Sequence, residues 1–225
     1  MTITQTLYHG TDARIVAMPQ EERLLYIDNI CKVVDYLWGL YKPLFLEKVN
    51  KEISLPDGTK GFYPVPVIES YKTLFQEKGR LNTYINLYQK LGMLDAREHG
   101  SGFYQYGGLY LTGVEHVAED YARSSFAGGE LGLIAYRLLE GLDVIDIASF
   151  APNKEMLNHI NTIKEFSAEG KEDPVVFALD NLELEYLLME NGDTIRENMD
   201  LSHAHYRYLK DITFDLSSAK HLKAI

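Results

Sequence analysis

Residues 107–121, which read GGLYLTGVEHVAEDY, decide how the rest of the chain is interpreted. Leu109, Tyr110 and Leu111 form a short apolar run after two glycines, which predicts a strand. If a following helix folds back on this strand, Tyr110 and Tyr121 face each other and form a slot for a flat ring. That helix is predicted by four side chains at helical spacing, which are Val117, Ala118, Tyr121 and Ala122.

Two other segments carry polar groups on predicted strands. Residues 7–11 read LYHGT, a short strand that ends in a polar His-Gly-Thr sequence. Strand ends are where folds that mix helices and strands place reactive groups. Residues 182–189 read LELEYLLM, which predicts an apolar strand with the acidic residue Glu185 embedded in it.

Taken in order, these three motifs resemble the histidine-tyrosine-glutamate class of ADP-ribosyltransferases, which includes diphtheria toxin and the poly(ADP-ribose) polymerases. The likeness consists of a His-Gly pair at residues 9–10, Tyr110 with Tyr121 eleven residues later, and Glu185 followed by a tyrosine. It implies an α+β fold with an ADP-ribosyltransferase-like split β core, mixed or antiparallel. It also implies NAD+ as the substrate and no metal.

The resemblance gives a role to each matching residue. Tyr110 and Tyr121 clamp the nicotinamide ring, and the backbone of Gly10 pairs with its carboxamide. His9 binds a ribose hydroxyl, and Glu185 stabilises the oxocarbenium-like transition state. The predicted catalytic residues are therefore His9, Tyr110 and Glu185, and the predicted NAD-binding residues are His9, Gly10, Thr11, Arg14, Tyr110 and Tyr121.

Two positions leave alternatives open. Glu183 and Glu185 point to the same side of the predicted strand, so the pair also resembles the Glu-x-Glu motif of arginine-specific ADP-ribosyltransferases. Those enzymes lack the initial histidine, which favours Glu185. Poly(ADP-ribose) polymerases carry a serine that binds the carboxamide where this chain has Ala118. The backbone of Gly10 would therefore hold the carboxamide with less help.

Composition limits the compartment and the partners. The chain has 225 residues and a formal net charge of -11, so it offers no broad basic face to nucleic acid, although a local basic groove stays open. Cys31 is the only cysteine, which excludes an internal disulfide. No stretch approaches the length of a membrane span, and the first residues do not resemble a secretion signal. We expect a soluble protein that resides in the cytoplasm or is delivered into a target cell by a specialised system.

The resemblance further implies transfer of a single ADP-ribose to a macromolecular acceptor, either a protein or a nucleic acid. In this class the loop before the glutamate strand contacts the acceptor, which places that contact at about residues 170–181, with Phe177 exposed. Bacterial members are often toxins, injected effectors or phage-defence enzymes, so an inhibitory antitoxin or immunity protein is an expected partner.

Two other functions remain open. The first is a catalytically silent binding module that acts through its helices. The second is an RNA 2′-phosphotransferase, which also begins with His-Gly-Thr but needs basic phosphate-binding residues that this chain does not show.

The remaining sequence predicts a single domain over residues 1–225. Helical spacing dominates residues 19–98, with a first helix to about residue 49 and an extended connection at 61–66, so this segment reads as a helical insertion between the first two strands. Residues 131–139 and 142–147 predict paired strands, residues 156–166 a helix, and residues 206–216 a last strand.

Overall fold

The computed structural model describes residues 2–99, 109–124, 129–167, 173–190, 192–202 and 205–223. Its strands are β1 (Leu7–Asp12), β2 (Lys48–Ser54), β3 (Lys60–Pro66), β4 (Leu109–Thr112), β5 (Pro174–Leu179), β6 (Leu187–Met189), β7 (His205–Tyr208) and β8 (Lys220–His221). Its helices are α1 (Ala13–Val16), α2 (Gln20–Leu46), α3 (Val67–Ser70), α4 (Lys72–Glu77), α5 (Leu81–Glu98), α6 (Glu115–Ser124), α7 (Gly129–Leu142) and α8 (Lys154–Phe166). An antiparallel sheet with helices is what the α+β prediction requires, so that class is confirmed.

Six strands form the main sheet, in the order β6-β7-β4-β1-β5-β8. All the pairings between the described strands of this sheet are antiparallel. β1 lies inside the sheet and pairs with β5 over six positions. Since side chains alternate along a strand, the sheet presents two faces. One face buries a core that includes Leu7, Leu111, Leu187, Tyr206 and Tyr208.

A layer of helices has a hydrophobic core of its own. α2 is at its centre and contacts α5, α7 and α8. Trp38 of α2 donates its indole N–H to a carboxylate oxygen of Glu98 at 2.8 Å, which ties α2 to the end of α5. None of the helices in the described ranges is both long enough and apolar enough to cross a bilayer. The fully buried side chains of this layer include Ile30, Leu37, Tyr41, Ile68, Phe75, Leu87, Leu91, Ile134 and Leu138.

The segment 19–98 is helical only in part. α2 ends at Leu46, and β2 and β3 then form a two-stranded antiparallel ribbon. The first predicted helix is therefore confirmed but ends three residues before residue 49, and the non-helical connection predicted at 61–66 is an extended strand of the ribbon. The ribbon turns at the Asp-Gly pair, where Gly58 has a φ of 82° and the Asp57 carboxylate accepts from the Thr59 N–H at 3.0 Å. β-Branched residues on both sides of this turn favour strands over a longer helix.

α7 replaces the strand predicted at 131–139, and residues 143–147, predicted within its partner strand, form turns and irregular backbone. The branched side chains of α7 resemble strand residues, but the buried ones recur at three and four positions, as in a helix. Tyr41 of α2 donates its hydroxyl to the backbone carbonyl of Leu138 at 2.9 Å. A side chain at Gly141 would lie 2.5 Å from that hydroxyl, so the close contact between α7 and α2 depends on this glycine.

The predictions for the last third of the chain hold in part. The helix at 156–166 is confirmed as α8. The strand predicted at 182–189 is confirmed only at Leu187–Met189, and the strand predicted at 206–216 is confirmed only to Tyr208, where β7 ends. Phe177 was predicted in an exposed loop, and this is wrong. Phe177 lies on β5, is 2% exposed and packs against Phe214 at 4.5 Å between ring centroids.

α6 covers the other face of the sheet at β1 and β5. Ala118 and Ala122 are buried there against Val176 of β5. A Cβ added at Gly10 would lie 1.9 Å from the carbonyl oxygen of Ala118. The absence of a side chain at position 10 therefore lets α6 approach β1.

We expect Gly10→Ala to destabilise the fold by at least about 1–3 kcal/mol, because the added methyl group overpacks the contact between α6 and β1. Gly39→Ala is the matched control, since Gly39 lies on α2 with no atom within 4 Å of an added Cβ and alanine favours the helix by about 0.4–1 kcal/mol. Urea unfolding followed by circular dichroism measures both changes. Equal unfolding midpoints for the two variants would contradict this packing.

Candidate functional site

The two tyrosines of the predicted slot lie on the two elements that meet at the junction of β4 and α6. Tyr110 on β4 is 37% exposed and Tyr121 on α6 is 50% exposed. The Val114 N–H donates to the side-chain oxygen of Thr112 at 3.2 Å, which fixes the turn between the two elements. The junction therefore presents both tyrosine rings to solvent. The glycines at 107–108 lie outside the described residues.

β1 and β4 diverge beside this junction. Among the described residues, their register joins only Tyr8 and Thr112, whereas β1 and β5 pair over six positions. The imidazole of His9 bridges the gap, and its Nδ1 lies 2.8 Å from the backbone carbonyl oxygen of Tyr110. Since a carbonyl oxygen only accepts, Nδ1 carries the proton and donates it. This bond joins two of the predicted motifs, 101 residues apart in sequence.

The surroundings of His9 keep its imidazole neutral. The ring stacks on Phe214 at 5.3 Å between centroids with an interplanar angle of 24°. Burial lowers the pKa of His9 from its ordinary value of 6.5 to about 4, and the hydrogen bond to the Tyr110 carbonyl opposes this change. With the proton on Nδ1, Nε2 has a lone pair that accepts a hydrogen bond. A ribose hydroxyl is a suitable donor to that nitrogen.

The His9 side chain and the two tyrosine rings approach the gap between β1 and β4 from opposite faces of the sheet. Tyr8 lies opposite Thr112, so the alternation of side chains puts His9 on the other face of β1 from α6. The neighbouring residue Thr11 shares the face of His9 and is half-buried opposite Val175. A ligand that contacts both His9 and the slot must therefore lie along the gap between β1 and β4.

Arg14 is engaged within the protein. Its Nε and Nη2 atoms donate to the two carboxylate oxygens of Asp12 at 2.9 and 2.6 Å, and Nη2 also donates to the Phe166 carbonyl at 2.9 Å. Asp12 is 3% exposed, so this fork-like pair ties β1 to the end of α8. Losing one partner of a buried pair costs about 3–5 kcal/mol. The predicted role of Arg14 in binding the NAD phosphates would compete with this structural role.

Glu185 lies apart from the other predicted site residues. It is exposed and belongs to a 3₁₀ turn over Leu184–Tyr186, which precedes β6. β7 and β4 lie between β6 and β1 in the sheet, while Glu183, two residues before Glu185, bridges Thr2 near the start of the chain. Glu183, the alternative acid, forms an ion pair with Lys210, and the hydrogen bond from Lys210 lowers the pKa of the Glu183 carboxyl. The catalytic role of either acid stays a prediction.

β7 brings two residues to the slot that the sequence did not single out as part of it. His205 lies opposite Thr112, and Arg207 lies opposite Tyr110. The His205 ring contacts the Tyr121 ring at 5.9 Å between centroids, with an interplanar angle of 81°. Nothing in the local sequence around residue 205 announces this contact, because it depends on the register of β7 against β4.

The chain matches none of the protein-family models, curated proteins and solved structures that were compared with it. The likeness to ADP-ribosyltransferases therefore rests on the residues of the three motifs. In the described part of the chain, no group of three or more His, Cys, Asp or Glu side chains is placed to hold a metal ion.

The depressed pKa of His9 predicts an acid-dependent loss of stability. The folded protein keeps His9 neutral while the unfolded chain protonates it, so this contribution is complete above pH 6.5 and is lost as the pH falls towards about 4. The loss is at most about 1.4 kcal/mol per pH unit, and less where water reaches the ring. Urea midpoints between pH 7 and pH 5 should fall less for His9→Gln than for the wild type. His116→Gln, at an exposed histidine on α6, is the control and should behave as the wild type does; identical falls for all three proteins would contradict the burial of His9.

Proposed function

We propose that the protein is an NAD+-dependent mono-ADP-ribosyltransferase that cleaves the bond between nicotinamide and ribose and transfers ADP-ribose to a macromolecular acceptor. The observation that carries this proposal is the hydrogen bond from His9 to the backbone of Tyr110, 2.8 Å long, beside two exposed tyrosines at the β4–α6 junction. His9 and Tyr110, which the family resemblance selects from distant segments, thus meet at one gap in the sheet.

Tyr110 and Tyr121 supply the binding surface for the nicotinamide ring. Two aromatic rings that are partly exposed on adjacent elements cover the faces of a flat heterocycle at little conformational cost. Each aromatic pair contributes about 0.5–1.5 kcal/mol beyond the area that it buries. Stacking on the two tyrosines accounts for affinity towards the nicotinamide ring. The bond from that ring to ribose then lies at the edge of the slot.

His9 orients the sugar without changing its protonation. Its Nδ1 is held by the Tyr110 carbonyl, so Nε2 is the nitrogen that accepts a hydrogen bond from a ribose hydroxyl. Because burial lowers the pKa of His9 to about 4, this acceptor is present throughout the neutral range. A neutral imidazole also adds no positive charge beside the cationic character that develops on the ribose.

The carboxylate that stabilises that cation is assigned to Glu185 in this proposal. Glu185 is exposed, so a ligand and an acceptor can reach its side chain. In this assignment His9 and Glu185 contact the same nicotinamide ribose, although β4 and β7 lie between β1 and β6 in the sheet.

A second function is favoured by the same separation. If Glu185 does not reach the ribose, the chain binds NAD+ or a related nucleotide without cleaving it and acts through its helices. Binding without release of nicotinamide is the signature of this catalytically silent module.

The test is nicotinamide release from NAD+ by the purified protein, with and without cell lysate as a source of acceptors. We expect Tyr110→Ala and Tyr121→Ala each to raise the NAD+ concentration for half-maximal release by roughly 2- to 10-fold, because each removes one stacking partner. Tyr63→Ala, at a tyrosine that is 59% exposed on the β2–β3 ribbon, is the matched control and should change nothing.

Carboxylate variants in the same assay separate the two functions. Glu185→Gln should reduce the rate of release by roughly 10²–10³ if it stabilises the transition state, while Glu183→Gln should retain activity. NAD+ binding with no release by the wild type supports the silent module. Neither binding nor release, with or without lysate, would overturn the proposal.

A further inference from the structure

His205 stands where three parts of the fold meet. It begins β7, lies opposite Thr112 of β4 and is half-buried. Residues opposite each other in an antiparallel pair point to the same face, so His205 shares the face of Tyr110, which is two residues along β4. The diagonal separation of such positions is about 7–8 Å, within reach of aromatic side chains.

The contact between His205 and Tyr121 comes from the helix side. The two rings are 5.9 Å apart between centroids and nearly perpendicular, at 81°. His205 therefore does not stack in parallel with Tyr121. It touches a tyrosine that is 50% exposed and whose ring would otherwise have more freedom to rotate.

The distance of His205 from Tyr110 also matches the distance between the base and the sugar of a nucleoside. A ring held by Tyr110 and Tyr121 carries its sugar at its rim, one ring's width from the stack. The imidazole of His205 lies about that far from Tyr110 along the sheet and has two nitrogens that donate or accept hydrogen bonds. Glu185 lies farther out, on the approach to β6.

We propose that His205 is a third binding residue of the slot, which contacts the ribose attached to the stacked ring and holds Tyr121 in place. This inference rests on the proposed NAD+ site and adds a polar group on β7 to it. It makes His205 a second contact to the ribose that His9 orients, and it predicts that affinity for a nucleoside depends on residue 205 more than affinity for a free base does.

The experiment measures the affinities of NAD+ and of free nicotinamide by isothermal titration. His205→Phe keeps a ring against Tyr121 but removes both nitrogens, so it should weaken NAD+ binding by roughly 2- to 10-fold and leave nicotinamide binding unchanged. His205→Ala removes the ring as well, so it should weaken both ligands. His221→Phe, at an exposed histidine on β8 at the far edge of the sheet, is the matched control and should bind both ligands as the wild type does.

The outcomes separate this inference from the proposed function. A wild type that binds neither ligand overturns the NAD+ site itself. A wild type that binds both, together with a His205→Phe variant that binds both equally well, overturns the role of His205 and leaves the site standing. Circular dichroism spectra of each variant establish that lost binding does not come from lost folding.

Discussion

The hydrogen bond from His9 to the Tyr110 carbonyl is the interaction on which the candidate site depends. It replaces backbone pairing at the point where β1 and β4 diverge, so the sheet stays joined while a gap opens between two of its inner strands. Burial keeps the imidazole neutral, which makes the bond insensitive to pH in the neutral range. The same residue thus closes the sheet with one nitrogen and offers the other to a ligand.

Two small residues, one glycine and one alanine, allow the rest of the candidate site to form around that bond. Gly10 and Ala118 bring α6 close to β1, which sets where Tyr121 emerges from the helix. A serine at position 118, as in the poly(ADP-ribose) polymerases that the motifs resemble, would lie against β1 in this fold, because Ala118 is only 1% exposed. In the proposed site, binding would therefore depend on the two tyrosine rings and on β7, without a hydroxyl at position 118.

The sequence predicts the local parts of this arrangement well. The strand and helix around Tyr110 and Tyr121 follow from apolar spacing within fifteen residues, and the structure places them as expected. α7 was missed because its branched residues satisfy a strand pattern and a helix pattern equally over a short window. Packing against Tyr41 of α2 decides in favour of the helix, and that residue lies 97 positions away from Leu138 in the sequence.

Long-range register explains the remaining differences at the site. Arg14 could have been recognised as a structural residue, since its partner Asp12 is two positions earlier in the chain. His205 could not, because only the pairing of β7 with β4 brings it to Tyr121. Glu185 sits in a short 3₁₀ turn, where an acidic residue in an apolar run looks the same in sequence as one in a strand.

The most direct test of the account is a crystal structure of the protein with NAD+ or nicotinamide bound. The account predicts the nicotinamide ring between Tyr110 and Tyr121, with His9 Nε2 accepting a hydrogen bond from a ribose hydroxyl when NAD+ is the ligand. A ligand bound at another surface, or empty tyrosines at saturating NAD+, would contradict it.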